Sequence, residues 1–446
     1  MSKKYDLIIM GAGPGGYVAA EKAGAMGKST LLIEKAELGG VCLNEGCIPS
    51  KTLLSSAKHY AHVREAGEYG VSFTSASFDL KAAMKRKEDV ISRLRSGVEF
   101  LMKKNKVDVV KGQGKMVAAN EVTVDGECYS ADKILIATGS SPVDLPIPGA
   151  DGSNVLNSSG VLSIESMPEK VVVIGGGAIG IEFASFFSAF EKEVHVIEMM
   201  PEITPFADAD VAKVLRRALK NVKFHLNAKV EAITEQGVEF TRKDKKESVE
   251  ADIVVMACGR KPNLADCGFE EVGIDTGKSG IKVNDRMETS VPDVYAIGDV
   301  TGRSLLAHSA SRMGEVAVNN MFGEKQNMRF DAIPWAVYSI PECAGCGMTE
   351  TDAKENGYEV RTAKAPMKIN GRFLAEYGDA QGICKVVVNA RTDEILGIHM
   401  TGGLCSEMIF GAVAMIESGL RSRDVREMVF PHPTVSEIVR DTLAGL

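Results

Sequence analysis

Two segments of this 446-residue chain follow one plan, and that repeat restricts the fold more than any other feature. The first runs from Tyr5-Asp6-Leu7-Ile8-Ile9-Met10 through Gly11-x-Gly13-x-x-Gly16 and a helix-like stretch to Leu31-Leu32-Ile33 and Glu34. The second runs from Lys170-Val171-Val172-Val173-Ile174 through Gly175-x-Gly177-x-x-Gly180 and a helix-like stretch to Val194-His195-Val196-Ile197 and Glu198. In both, the acidic residue follows the first glycine by 23 positions (11 to 34, 175 to 198), and the whole unit recurs 164 positions later. Strand, tight glycine turn, helix, strand and acidic residue together make the dinucleotide-binding fingerprint in its required context. The first glycine makes the turn, and the second lets backbone N–H groups approach a pyrophosphate at the helix N-terminus. The third lets helix and strand pack closely, and the carboxylate accepts hydrogen bonds from a ribose. One such glycine run is a weak signal; two with matched strands and matched acidic residues predict two dinucleotide sites. Glu198 pairs with ribose hydroxyls and repels a 2′-phosphate, so NAD is favoured over NADP at the second site.

A third element fits the same architecture. Val294-Tyr295-Ala296-Ile297-Gly298-Asp299 is a strand ending where an acidic side chain reaches a polyol hydroxyl. Ala137-Thr138-Gly139 and Cys258-Gly259-Arg260-Lys261-Pro262-Asn263 also end apolar strands. Strand ends that converge on a cofactor crevice follow the doubly wound rule.

Cys42 and Cys47, five apart in a segment closed by Gly46-Cys47-Ile48-Pro49-Ser50-Lys51, pose a geometric conflict. Residues i and i+5 of an α-helix have Cα atoms about 8.6 Å apart, whereas a disulfide needs them within roughly 7 Å. The two thiols can join only through a distorted turn, which Asn44 and Gly46 tolerate and which Pro49 keeps a helix from absorbing. Two nearby thiols in an irregular turn point to redox chemistry; two unpaired core cysteines are the alternative that spacing leaves open.

Length predicts about three domains, and 45% hydrophobic with 25% charged residues is the balance of a globular protein. Aromatic residues are only 6% of the chain, so the cores rest on aliphatic side chains. No apolar run reaches the ~18 residues of a membrane span, and Met1-Ser2-Lys3-Lys4 passes straight into a strand, so a soluble, cytoplasmic protein is expected. A net charge of −8 argues against a nucleic-acid or anionic-membrane partner, which would favour a basic face. Nine cysteines are odd in number and too sparse for a secreted disulfide framework, so a Cys42–Cys47 bond, if present, is catalytic rather than a staple.

These motifs, with Gly39-Gly40-Val41-Cys42-Leu43-Asn44-Glu45-Gly46-Cys47-Ile48-Pro49-Ser50-Lys51 and His432-Pro433-Thr434, make the chain similar over essentially its whole length to the pyridine nucleotide–disulfide oxidoreductases, and within them to the dihydrolipoamide dehydrogenases. The resemblance implies an α/β fold: two doubly wound dinucleotide-binding domains of glutathione-reductase type plus a C-terminal α+β dimerisation domain. The expected borders are 1–145 for the FAD-binding domain, 146–265 for the NAD-binding domain, 266–330 for a return to the FAD domain and 331–446 for dimerisation. It implies FAD in the first unit, at Gly11, Gly13, Gly16, Glu34, Lys51, Gly114, Thr138, Gly139, Asp299 and Ala307. It implies NAD in the second, at Gly175, Gly177, Gly180, Glu198, Val230 and Gly259, with Glu182 paired to Lys51 near the flavin. It further implies that Cys42 meets substrate, Cys47 meets flavin, and His432, oriented by Glu437, serves the disulfide of the partner subunit in a homodimer. The implied partner is a lipoyl-bearing protein of a 2-oxo acid dehydrogenase or glycine cleavage complex.

Read from residues alone, Thr434-x-x-Glu437 is also a capping box, so Glu437 has a helix-closing role that competes with orienting His432. His432, between two prolines, is kept out of that helix, and a rigid histidine suits a general base. The chain departs from its apparent family at three points: Val41 replaces a common threonine, Phe430 a second histidine, and Glu45 an apolar residue. Glu45 lies inside the redox turn and is expected to make the pair harder to reduce by disfavouring nearby thiolates. Cys343-x-x-Cys346 lacks the second pair a structural zinc site needs and reads as two buried small residues, and no metal is expected. Cys128, Cys258, Cys267, Cys384 and Cys405 read as packed, Arg242 to Lys246 as a solvated turn, and Lys81 to Arg95 as a solvated helix face. A glutathione-type reductase, which would favour Lys-Lys after the second cysteine, and a flavin-bound docking subunit are the alternative readings.

Overall fold

Aliphatic runs without polar alternation become parallel strands buried on both faces. The computed structural model describes residues 3–446. In it Leu7, Ile8, Ile9, Leu31, Leu32 and Ile134 to Ile136 are all shielded from solvent. These strands belong to the first of two units, which comprises the chain up to Thr52, Lys81–Val143 and Gly259–Arg329. Its sheet runs in the order Asp108–Lys111, Thr30–Glu34, Lys4–Met10, Glu127–Ile136, Glu121–Val124, Lys115–Ala118. Strand Glu127–Ile136 pairs with Lys4–Met10 along one side and divides the other between two partners: its first half hairpins with Glu121–Val124, and Ile134 to Ile136 pair in parallel with Val294–Ala296. Helix Pro14–Ala25 packs on helix Ala307–Phe322, and Gly15 permits that approach because a Cβ there would sit 2.9 Å from the Ala310 carbonyl oxygen.

The second unit comprises Leu53–Leu80, Asp144–Cys258 and Phe330–Leu446. It holds a parallel sheet in the order Val222–Leu226, Glu193–Glu198, Lys170–Ile174, Ile253–Met256, Val155–Leu156, and a three-stranded antiparallel sheet over Ala228–Glu250. Its third sheet, antiparallel, runs Trp335–Val337, Cys343–Gly347, Ile395–Thr401, Ile383–Asn389, Val360–Pro366. Helices Cys405–Glu417 and Glu437–Leu443 cover one face of it, with Ile409, Ala412, Ile438 and Leu443 buried among Val386, Val388, Ile398 and Met400. Nothing in the sequence marked Leu53–Leu80 as belonging with this unit. No helix among the described residues is long and apolar enough to cross a membrane.

Several surface readings hold and others need correction. Lys243 and Asp244, both at positive φ, form the tight turn of a hairpin whose flanks are tied by Arg242 to Glu247. Within helix Leu80–Lys104, however, Lys87 is buried and paired with Glu88 at 2.9 Å, so the face is not uniformly solvated. Cys343, Cys346, Cys267, Cys384 and Cys405 are buried, but Cys128 and Cys258 are only half so.

The second unit encloses a cluster of charge. The Lys385 ammonium, on strand Ile383–Asn389, lies 2.9 Å from Asp208, 2.9 Å from Asp210 and 2.8 Å from Glu350. Lys385 and Asp208 are both buried, and Asp208 also caps helix Ala209–Ala218 by accepting from the Asp210 N–H. Lys364 reaches Asp210, and Lys354 reaches Glu350. Burial opposes the charge on Lys385, but Glu350, Asp210 and Asp208 outweigh it and hold the ammonium above its usual range. Lys385 in turn holds the Asp210 carboxyl low, while Lys354 and then Lys385 do so for Glu350.

Removing one partner of a buried pair strands the other charge, which costs about 3–5 kcal/mol. Lys385→Met is therefore expected to lower stability by that order, whereas Arg64→Ala, at the exposed pair with Glu191, should change it far less. Trp335 is the single tryptophan and packs against Phe206 and His399, so its fluorescence during urea unfolding measures both. Depressed carboxyl groups stabilise fully above their unfolded range and lose that contribution as pH falls. The gap between wild type and Lys385→Met should thus narrow as pH falls below about 4, where these carboxyls bind protons in the unfolded chain; a constant gap there would contradict this account.

Candidate functional site

The two glycine turns are built alike. Gly11 sits at φ +104° and Gly175 at φ +106°, a region costly for L side chains, and a Cβ on either would run into the carbonyl oxygen of the next strand's end, Ala137 or Ala257. The third glycine of each motif, Gly16 or Gly180, lies so close to the carbonyl of the first that a side chain would overlap it. At the middle glycine, Gly13 or Gly177, there is open space where a Cβ would point, immediately before helices Pro14–Ala25 and Ala178–Ala189. Free backbone donors at a helix N-terminus facing open space suit a pyrophosphate.

The strand-end carboxylates do more than face a ribose. Glu34 accepts from the Ala12 N–H at 2.7 Å with one oxygen and from the Ala36 N–H at 2.8 Å with the other. Glu198 does the same with the Gly176 and Met200 N–H groups, the latter at 2.7 Å. Each clamps its glycine turn to the segment after the second strand, and a carboxylate has lone pairs left for two hydroxyls. The residues therefore fit an adenine dinucleotide at each turn. Gly114 lies at the same sheet edge as the first turn, packed near Met10, Ile33 and Val122. Val230, in strand Ala228–Thr234, packs against the core that includes Ile174 and Ile197.

Cys42 and Cys47 form a disulfide with Cα atoms 4.7 Å apart. The conflict with helical spacing is resolved by a break between two helices, Gly40–Glu45 and Cys47–Glu65, at Gly46 (φ −143°, ψ −107°). Two expectations are corrected. Pro49 does not exclude a helix; it lies in the first turn of Cys47–Glu65, where its missing N–H leaves no bond unmade. Asn44 does not supply the distortion either, since it remains helical. Its side chain donates to the Leu38 and Gly40 carbonyl oxygens and accepts from the Arg95 guanidinium at 2.8 and 3.1 Å. Arg95, read as part of a solvated face, thus buttresses the redox turn, and Leu43 and Ile48 pack against Ile91 and Val98 on the same long helix. Cys47 opens a 19-residue helix, whose N-terminal dipole favours a thiolate. Lys51 lies one turn further along that helix, on the same face.

His432 lies outside helix Glu437–Leu443, with its side chain 80% exposed, while Glu437 beneath it is 11% exposed. Nδ1 of His432 is 3.1 Å from both Glu437 carboxylate oxygens, and Glu437 also accepts from the Thr434 N–H at 2.9 Å. The two roles anticipated as competitors are therefore performed by one carboxylate. The reciprocal half of a capping box is missing, because the Thr434 hydroxyl donates to the Pro431 carbonyl oxygen. The Thr434 N–H and then His432 hold the Glu437 carboxyl below its usual range. Glu182 is buried and accepts from the Tyr338 N–H at 3.1 Å.

At the end of strand Glu127–Ile136, Thr138 and Gly139 are locked to Asn263: the Thr138 hydroxyl donates to the Asn263 carbonyl, the Asn263 amide donates to Thr138, and the Asn263 N–H donates to Gly139. Gly259, at φ +102°, precedes strand Arg260–Pro262, which pairs with Ser140–Pro142. Asp299 lies on the turn after strand Val294–Ala296 and accepts from the Ser140 hydroxyl; Ala307 opens the helix packed on Gly15. Ser140 went unremarked in the sequence, and Arg260 figured there only as one residue of a strand end. Only the apposition of two strand ends distant in the chain brings them to Asp299. Burial pushes up the thiols of Cys343 and of Cys346 (to about 12), and no group of three or more His, Cys, Asp or Glu among the described residues is arranged to hold a metal.

Residues 5–314 match the pyridine nucleotide-disulphide oxidoreductase family, and residues 333–443 match the dimerisation domain of the same family. The chain is 39% identical to a dihydrolipoyl dehydrogenase of Thermus scotoductus, covering 100% of this chain and 98% of that one. It is 37% identical to the dihydrolipoyl dehydrogenase of Cupriavidus necator (99% and 98%) and 39% identical to a leghemoglobin reductase of Glycine max (99% and 87%). Among solved structures, the HOCl-induced flavoprotein disulfide reductase RclA of Escherichia coli superimposes with a TM-score of 0.87 at 29% identity over 99% of both chains. With both domains matched and near-complete coverage by such relatives, this chain belongs to the pyridine nucleotide-disulphide oxidoreductases.

Proposed function

We propose that the protein is a dihydrolipoyl dehydrogenase: a homodimeric flavoprotein that oxidises dihydrolipoyl dithiols with NAD+ through the Cys42–Cys47 disulfide. The observation that carries the reading is that disulfide, formed at the N-terminus of a long helix, in a chain similar end to end to dihydrolipoyl dehydrogenases. FAD would be held by Gly11, Gly13, Gly16, Glu34, Lys51, Gly114, Thr138, Gly139, Asp299 and Ala307. NAD would be held by Gly175, Gly177, Gly180, Glu198, Val230 and Gly259, with Glu182 paired to Lys51. Bound FAD and NAD+ supply the two-electron acceptors that restore the disulfide after each turnover. The domain assignment follows the expected borders, 1–145 and 266–330 for FAD, 146–265 for NAD and 331–446 for the dimer. The reading extends to a cytoplasmic enzyme serving a lipoyl-bearing protein of a 2-oxo acid dehydrogenase or glycine cleavage complex, the proteins whose dihydrolipoyl groups need reoxidation.

The chemistry of the chain's own groups follows from their positions. The Glu437 carboxylate accepts from Nδ1 of His432, which leaves Nε2 as the proton acceptor. His432 of one subunit takes the proton of a substrate thiol, and the thiolate attacks Cys42 Sγ of the other subunit. A substrate–Cys42 disulfide forms, the Cys42–Cys47 bond breaks, and the electron pair rests on Cys47 Sγ. The second substrate thiol loses its proton and attacks the substrate sulfur of that mixed disulfide, releasing the cyclic disulfide. Cys42 leaves as a thiolate that His432 reprotonates, and the freed Nε2 takes up the proton of the second substrate thiol. The dithiol is oxidised by two electrons and the cysteine pair is reduced by two. The helix N-terminus and Lys51 keep Cys47 anionic.

NADH formation from dihydrolipoamide is the direct assay, set against NADPH oxidation with glutathione disulfide. Cys47→Ser should abolish dithiol oxidation while the protein retains flavin, and His432→Gln should lower kcat by about 10²–10⁴. Full dithiol oxidation by Cys47→Ser, or faster turnover of glutathione disulfide in the wild type, would reject the reading. Glu198→Ala should narrow the preference for NAD+ over NADP+, measured as the ratio of kcat/KM values, because the charge that repels a 2′-phosphate is gone; an unchanged ratio would remove Glu198 from that role.

A further inference from the structure

Arg260 sits at the start of strand Arg260–Pro262, paired in register with Pro142 on the ribbon that ends at Ser140. Its side chain is 15% exposed and folds back along that ribbon. Nε donates to the Ser140 hydroxyl at 2.8 Å, and Nη2 donates to the Ser140 carbonyl oxygen at 2.6 Å. The same hydroxyl donates its one proton to Oδ2 of Asp299, and Arg260 Nε lies 3.9 Å from that oxygen. A hydroxyl that accepts from a cation and donates to an anion is polarised in one direction and has a single low-energy orientation. Ser140 is buried, so neither bond is shared with bulk water. One carboxylate oxygen of Asp299 is thereby committed to the protein, and the other is left for a ligand.

We propose that Arg260 is a positioning residue of the flavin site, acting through Ser140 to hold the Asp299 carboxylate in one orientation toward the polyol chain of the bound cofactor. The inference rests on the flavin reading above. It fits the electrostatics of the corner: burial disfavours the charge on both Asp299 and Arg260, and each is supported by the other. Glu45 of the redox turn also supports the Arg260 cation. Lysine cannot replace it fully, because only the planar fork reaches the hydroxyl and the carbonyl of Ser140 together.

The test is the rate at which FAD is released, read as the rise of flavin fluorescence when the purified holoenzyme is diluted. Arg260→Met and Ser140→Ala should each release FAD about 10–100-fold faster than wild type, as loss of a group that orients a ligand contact does, and Arg260→Lys should fall between. In an Asp299→Asn background, Arg260→Met should change the rate by less than about two-fold, because its effect is routed through the carboxylate. Ser140→Ala removes one hydroxyl and keeps the test open should Arg260→Met fail to accumulate. Wild-type release rates in both Ser140→Ala and Arg260→Met, or an equal effect of Arg260→Met with and without Asp299, would overturn the proposal. A wild-type protein that carries no flavin and takes up none would instead reject the flavin reading itself.

Discussion

The clamp between a strand-end carboxylate and the amides of its own glycine turn is the interaction on which the two dinucleotide units depend. Glu34 joins Ala12 to Ala36, and Glu198 joins Gly176 to Met200, so each turn is fixed against the neighbouring strand before any ligand arrives. The carboxylates are nearly buried, which strengthens those charge-assisted bonds and would be costly without them. With the turn fixed, the helix after it is aimed, and the open space beside Gly13 and Gly177 faces that helix's N-terminus. A site whose donors are already ordered loses little entropy when a pyrophosphate binds.

The redox turn uses a different device for the same end. A helix is interrupted for one residue, Gly46, so that the last turn of one short helix and the first residue of a long one bring Cys42 and Cys47 together. The interruption is held from outside by Asn44, Arg95 and the packing of Leu43 and Ile48 on the long helix Leu80–Lys104. The break also places Cys47 at a helix N-terminus and Cys42 outside it, so the two sulfurs differ in electrostatic surroundings although they share a bond. That asymmetry suits a pair in which one sulfur exchanges with substrate and the other holds negative charge.

Electrostatics reappears wherever charge is buried. Lys385 is surrounded by carboxylates in the second unit, Arg260 is joined to Asp299 through Ser140 in the first, and Glu437 satisfies a backbone N–H and His432 at once. The expectation that Glu45 simply disfavours a nearby thiolate therefore needs a counterweight: its charge faces a cation that the sequence placed more than two hundred positions away.

Local chemistry was legible in the chain. Glycine spacing, aliphatic strands and acidic residues at a fixed interval specify two strand–turn–helix units, because each of those constraints acts within about thirty residues. The cysteine spacing likewise made a distorted turn the condition for a bond, since helix geometry forbids it otherwise, but left open whether the bond forms. What the sequence could not carry is any interaction whose partners meet only when distant strand ends are brought together. Asn44 read as a residue that tolerates a distorted turn and is a clip, Arg95 read as solvated and supports the redox turn, and Ser140, which drew no attention, joins Arg260, read only as part of a strand end, to Asp299. Side-chain hydrogen bonds reach only about 3 Å. Residue types and intervals therefore fixed the elements and the chemistry on offer, and the tertiary fold alone decided which charges face one another.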